Sequence, residues 1–374
     1  MRYDKVAGSM ESVSDDLQHP LHWVKHEAAA SAEDRLPAAI DLEANLSTQE
    51  IRDFSTPTYV VFGASAARRT GQEAKRLGAK RAFVVIDRRV QAAGLADEPL
   101  ESLRAAGVKC IVNADCEPDP DIEAAEKALQ QYLAEDCDVV VVVGGGSAIC
   151  LGRAVALRAT NRHKTLREME GRNNFDSPPK PTVLVTTTTG SGSEVSPIFV
   201  LTDSERMVKM NVGGRGAQAT VSILDPLMLK SLPAEQVLAT GMDAITHSLE
   251  AFLSNRASIF TDALALRSLK VLWKHIANAA YAVNNLESRG EMLVASIMSV
   301  QASGNALLGL VHATSDQISA FHHVPHGMSN ALMLPAVMEY NLPVASEKFV
   351  ELNSITGDVP ASEANNPEAF LKAI

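Results

Sequence analysis

From Thr58 onward the hydrophobic positions fall into two regimes. In the first, short apolar runs end in turn residues: TYVVFG (58–63), RAFVVID (81–87), VKCIVN (108–113), DVVVVVGGG (138–146) and PTVLVTTTT (181–189). Such runs predict strands. The valines of the fourth are apolar on both faces, as a central strand of a parallel sheet requires. Between the strands, ASAARRTGQEAKRLG (64–78) closes on a glycine stop signal. DPDIEAAEKALQQYLAED (119–136) sets Ile122, Ala125, Leu129 and Tyr132 or Leu133 on one stripe. Both read as helices. Strand–helix alternation predicts a doubly wound α/β domain. After Pro233 the strand signals fade, and residues 239–255, 261–283 and 291–321 all run at helical period. The chain therefore divides into a polar, acidic, Ala-rich extension (1–54), an α/β domain (55–230) and a helical domain (231–374).

Composition narrows the function. A length of 374 residues suits two medium domains, and 46% hydrophobic residues can bury a full core. A net charge of −11, without a dense Lys/Arg tract, argues against a nucleic-acid partner. Cys110, Cys116, Cys137 and Cys150 form no C-x-x-C pair and read as reduced thiols of a cytoplasmic protein. The first thirty residues hold no apolar signal core, and no run of about 18 apolar residues exists to span a membrane.

Four positions carry the strongest chemical signal. Asp243 and His247 stand four apart in GMDAITH, which puts both side chains on one helix face, one turn apart. His312 ends an apolar helical run, and His326 lies in a turn between Pro325 and Gly327. One carboxylate and three imidazoles suit a borderline ion such as Fe²⁺ or Zn²⁺ better than Mg²⁺ or Ca²⁺. His19, His22 and His26, with no carboxylate or thiol placed among them, read as surface residues.

Three weaker signals point to a nucleotide. Gly144, Gly145, Gly146 and Ser147 follow a buried strand and open a helical stretch, where a phosphate can approach the backbone and meet unpaired N–H groups. This is not the G-x-G-x-x-G fingerprint, and a tight turn without ligand explains it equally well. Asp87 ends a strand; it either caps a helix or accepts the hydroxyls of an adenosine ribose, which favours NAD over NADP. TTTTGSGSEVS (186–196) is a hydroxyl- and glycine-rich loop directly after a strand.

Taken together, these segments resemble the iron-containing (group III) alcohol dehydrogenase family, from about Pro57 to about Leu342. FGASA (62–66), VIDRRV (85–90), GGGSAI (144–149), TGSGSEVS (189–196), TGMDAITHSLEAF (240–252) and GLVH…VPHGMSNALMLPAVMEYN follow in the family's order. The resemblance implies an N-terminal α/β nucleotide-binding domain and an all-α C-terminal domain, the dehydroquinate synthase-like superfold. It also implies that Asp243, His247, His312 and His326 hold the metal. Asp87 would bind the ribose and Gly144–Ser147 the pyrophosphate. Thr187, Thr188 and Ser191 would line the cofactor, with Lys209 near it. A homodimer or larger homo-oligomer is expected on the same ground. Three positions depart from the family: Cys150 replaces an Asp, Arg153 a Lys, and Asp316 a histidine associated with proton transfer. Asp316, His322 and His323 are left as candidates for carrying the proton. The chain also ends at Ile374, where family members continue through further helices.

The expected reaction is hydride transfer between nicotinamide and a small alcohol or aldehyde, with the metal polarising the substrate oxygen. Among the alternatives is a dehydroquinate-synthase-like or glycerol-phosphate enzyme of the same superfold, needing basic residues for an anionic substrate. No Arg occurs between 290 and 374, which favours a neutral one. The other alternative is a weakly active metal- and nucleotide-binding relative.

Overall fold

The computed structural model of the protein describes residues 51–374 apart from Val283 and His323. His19, His22 and His26, with the extension to residue 50, lie outside the described residues. Strand β1 (Tyr59–Phe62) leads through a 3₁₀ turn to helix α1 (Thr70–Arg76), then β2 (Arg81–Asp87), α2 (Arg88–Ala92), α3 (Asp97–Ala105), β3 (Lys109–Cys116) and α4 (Ile122–Ala134). Next come β4 (Val139–Gly144), α5 (Gly146–Thr160), β5 (Gly171–Arg172), β6 (Thr182–Thr186), β7 (Ile198–Asp203), β8 (Val208–Gly213) and β9 (Val221–Leu224). From there the elements are helices: α6 (Ala234–Leu253), α7 (Ile259–Tyr281), α8 (Leu286–Ala306), α9 (Leu310–His322), α10 (His326–Thr356) and α11 (Ala369–Ala373).

Six strands form one sheet in the order β1-β9-β6-β4-β2-β3, and every pairing in it is parallel. The valine run lies where its two-faced apolarity requires, between β6 and β2. Side chains alternate across the sheet. Phe83, Val85, Val140 and Val142 pack with Leu129, Tyr132 and Leu157 of α4 and α5. Val84, Ile86, Val141 and Val143 pack on the other face with Ala74 and Leu103 of α1 and α3. Asp121 starts α4 by accepting the N–H of Ala124 at 2.8 Å, a side-chain N-cap.

The structure adds elements that the hydrophobic pattern does not show. β9 is four residues long and carries a polar Ser222, so no run announces it, yet it fills the place between β1 and β6. Residues 198–213 fold into the antiparallel pair β7–β8, which with β5 makes a second, three-stranded sheet. The expected helix at 64–78 is split, its first part being 3₁₀. Residues Arg52–Ile374 form one compact unit. No single helix among the described residues is long and apolar enough to cross a membrane.

Candidate active site

Helix α6 carries Asp243 and His247 one turn apart on its buried face. The other two candidates come from helix starts. Leu307, at φ 70°, turns the chain out of α8 into α9, whose first turn holds His312. Pro325 caps α10, whose first residue is His326. Three helices thereby deliver four side chains to one place. Asp243 Oδ1 lies 3.4 Å from His312 Nε2, 3.5 Å from His326 Nε2 and 3.7 Å from His247 Nδ1. The His247 and His312 rings stack with centroids 4.6 Å apart. Asp243, His247 and His312 each offer a ligand atom within 4.8 Å of the others', and all three residues are buried. His326 is half-exposed at the rim.

The cluster's charges are strongly coupled. Burial opposes ionisation of Asp243, but the imidazoles, His247 first, hold its carboxyl well below the usual carboxylate range. Burial pushes His247 down to about 4. Burial works the same way on His312, yet hydrogen bonds to Asp243 and Glu250 outweigh it and raise the ring to about 9. The group is thus arranged to receive positive charge. His247 Nδ1 is buried without a hydrogen-bond partner. A buried carboxylate, three nitrogen donors and an unpartnered ring nitrogen fit a borderline divalent ion.

Two neighbours escape a reading of the sequence. Glu250 Oε2 sits 2.6 Å from His312 Nδ1, and its Oε1 accepts the Val311 N–H at 2.6 Å. A carboxylate there fixes the ring with Nε2 toward the cluster. Asn330 Nδ2 donates to Asp243 Oδ1 at 2.8 Å and lies 3.3 Å from both His312 Nε2 and His326 Nε2. Spacing held a signal for each: Glu250 is seven residues after Asp243 on α6, and Asn330 is four after His326 on α10. Asp316 stands 3.3 Å from His326 Nδ1.

The cluster opens into a cleft of about 360 Å³, whose walls include Cys150, Arg172, Ser191, Ser193, Ser196, Val200, Ser303, Gly304 and Asp316. A second pocket, also about 360 Å³, is lined by Asp87, Arg89, Gly145, Gly146, Ser147, Thr187 and Thr188. The loop after β6 therefore serves both, Thr187 and Thr188 in one and Ser191 in the other. A Cβ at Gly145 would lie 2.7 Å from Thr188 Cγ2, so a side chain there would have to displace Thr188. Asp87 Oδ1 caps α2 by accepting the N–H groups of Arg89 (2.8 Å) and Val90 (3.4 Å). Lys209 lines neither pocket; it pairs at 2.6 Å with Asp119, whose N–H reaches Ser147 Oγ. His322 lines neither, and His323 lies outside the described residues.

The departures at Cys150 and Arg153 have a structural role. Arg153 is fully buried and donates to the carbonyls of Ser193, Ile198 and Ala217, tying the cofactor-side loop to β7. Cys150 Sγ accepts the Val200 N–H from the same strand at 3.5 Å.

Comparison with known proteins agrees with this geometry. The model for iron-containing alcohol dehydrogenase matches residues 57–226, and that for the Fe-containing alcohol dehydrogenase family, C-terminal, matches residues 237–374. The 1,3-propanediol dehydrogenase of Citrobacter freundii is 36% identical over 308 residues, covering 82% of this chain and 79% of that protein. The NAD-dependent methanol dehydrogenase of Bacillus methanolicus is 33% identical over 306 residues, covering 82% and 80%. The crystal structure of a 1,3-propanediol oxidoreductase superposes with a TM-score of 0.82 at 33% identity, covering 87% of this chain and 86% of that one. Neither the glycerol-phosphate or dehydroquinate-synthase-like reading nor that of a weakly active relative is favoured by these relatives. The parallel sheet, the helical C-terminal part, the convergent Asp243 cluster and both sequence models lead to one assignment: the chain belongs to the iron-containing alcohol dehydrogenase family.

Proposed function

We propose that this alcohol dehydrogenase holds one divalent metal on Asp243, His247, His312 and His326, and interconverts a small alcohol and its aldehyde with NAD. The observation that carries the reading is the buried Asp243 facing three imidazoles at the floor of a cleft. Iron is the expected metal, and zinc suits the same donors. Bound there, the metal supplies Lewis acidity to the substrate oxygen, and nicotinamide exchanges the hydride.

The chain's own residues do the rest. Asp243 supplies the negative charge of the site and Glu250 orients His312. The Gly144–Ser147 turn at the start of α5 faces the cofactor pyrophosphate, and the loop at 187–196 runs from the adenosine pocket to the metal cleft. Thr187 and Thr188 meet the cofactor on one side and Ser191 on the other, while Lys209 acts at one remove through Asp119 and Ser147. Asp87 caps α2 through Oδ1 and also lines the second pocket, where its carboxylate would accept ribose hydroxyls and repel a 2′-phosphate, favouring NAD over NADP. Of the three groups considered for the proton, Asp316 is the one placed in the cleft wall, and we assign it that transfer. The four free cysteines support a cytoplasmic location, and family membership supports a homodimer or larger homo-oligomer.

The test combines metal analysis of purified protein with aldehyde reduction by NADH and by NADPH, for the natural chain and Asp243→Ala. The variant is expected to retain under a tenth of the metal and to lose turnover. Full activity in metal-free Asp243→Ala protein ends the reading.

A further inference from the structure

One cation in the cleft wall has no acidic partner among the described residues. β5 is a two-residue strand at the edge of the small sheet, held along one side by β8 and the turn that follows it. Gly171 and Arg172 pair with Val212 and Gly213 of β8. Asn173 donates its N–H to the Gly213 carbonyl at 2.7 Å and accepts the Arg215 N–H on its side chain at 2.8 Å. Arg172 follows in this hydrogen-bonded edge, and it lines the same cleft as Asp243, His247, His312 and His326. Two arginines in the turns around this sheet are neutralised: Arg167 bridges Asp203 and Glu205, and Arg206 bridges Asp203 and Glu170. Arg153 is engaged by three carbonyls. Arg172 is exposed to solvent at the cleft wall; partial desolvation, and after it the charge of Arg256, lower its pKa.

A guanidinium that lines a cleft without an acidic partner is a site for an anion, because its planar fork matches a carboxylate. The expectation of a neutral substrate rested on residues 290–374; the fold brings Arg172 to the cleft from the other half of the chain. Arg172 is absent from the Asp87 pocket, which separates it from the adenosine end of the cofactor.

We propose that Arg172 selects the substrate, and that the substrate is a short aldehyde or alcohol carrying a carboxylate at its far end. The proposal rests on the alcohol dehydrogenase reading of the cluster. In the reduction, hydride from NADH adds to the aldehyde carbon, a proton adds to its oxygen, and the carboxylate passes through unchanged. A cleft of about 360 Å³ admits chains of this size.

The test uses the metal-loaded full chain with saturating NADH and two aldehydes of equal length, butanal and 4-oxobutanoate. The natural protein should favour the charged aldehyde in kcat/KM by about tenfold or more, the scale of one charge-assisted pair. Arg172→Gln should collapse that ratio, mainly because the charged aldehyde then needs a higher concentration to saturate the enzyme. Arg172→Lys should keep only part of it, since the charge stays and the planar fork is lost. A binding arm follows butanoate against butanamide by ligand-observed NMR on the NADH complex; Arg172→Gln should lose butanoate. A ratio near one in the natural protein, or the same ratio in Arg172→Gln, overturns the proposal. So does an Arg172→Gln protein with raised KM for NADH and both aldehydes slowed alike, since the cation would then serve the cofactor phosphates. Butanoate binding through Arg172 with neither aldehyde reduced supports the anion site and defeats the dehydrogenase reading instead.

Discussion

At the scale of single residues, the site depends on groups that touch its ligand atoms from behind. His312 presents Nε2 to the cluster because Glu250 holds its Nδ1 at 2.6 Å. Glu250→Gln keeps the shape and removes the charge, so metal affinity should fall by about 10–100-fold. Titration with a chelator of known affinity measures it; unchanged affinity would show that Glu250 is a packing residue. Glu194 is a different case. It is fully buried, its Oε2 has no partner, and burial raises its pKa to about 7. A carboxyl with a raised folded pKa contributes stability below its unfolded value and loses it as pH rises through the folded one. The protein should therefore weaken between about pH 4.5 and pH 7, by roughly 3 kcal/mol at most from this group. Glu194→Gln removes the titration, so the melting difference, variant minus natural, should grow from pH 5 to pH 8. A constant difference would mean that Glu194 is neutralised by some other group.

At the scale of elements, α6 is the common platform. Gly327, in the first turn of α10, lies so close that a Cβ would be 1.9 Å from the Ala239 carbonyl oxygen of α6. Gly190, in the cofactor-side loop, would meet the Thr240 carbonyl oxygen at 1.6 Å. Both contacts are with backbone, which cannot rotate away. They fall in the turn of α6 just before Asp243, so one helix aligns His326 and the cofactor loop against the same carboxylate. Gly327→Ala should cost about 1–3 kcal/mol by overpacking and weaken metal binding with it. Denaturant midpoints and metal titration on the same variant check this; a fall in stability with metal affinity intact would uncouple α10 placement from the site. Elements are legible in the sequence where burial is two-sided. The valines of β4 and the stripe of α4 announce themselves, whereas β9, with four residues and a serine, is too short to do so and is recognised only by its place between β1 and β6. The β7–β8 pair is hidden for another reason: only half its side chains are buried, and the preceding loop looks like irregular chain.

At the scale of the whole molecule, the readable part of the site is its least common chemistry. Asp243, His247, His312 and His326 stand out because imidazoles are scarce and their spacing is helical. Glu250, Asn330 and Arg172 belong to residue types found everywhere, and only the packing of α6, α9, α10 and the small sheet gives them partners or leaves one without. That packing also makes the last prediction. Arg52–Ile374 is one compact unit, with the strands and the helices built into it together. Ligand bound to the folded state alone stabilises everything that unfolds with it, by about 4 kcal/mol at a thousandfold excess over Kd. Removing metal with a chelator should therefore lower one cooperative transition as a whole, seen alike by far-UV circular dichroism and by tryptophan fluorescence, to which Trp273 in α7 contributes. Restoring the metal should restore it. Two separate transitions, with only the helical signal moving on chelation, would show that the metal holds α6, α9 and α10 together without reaching the sheet.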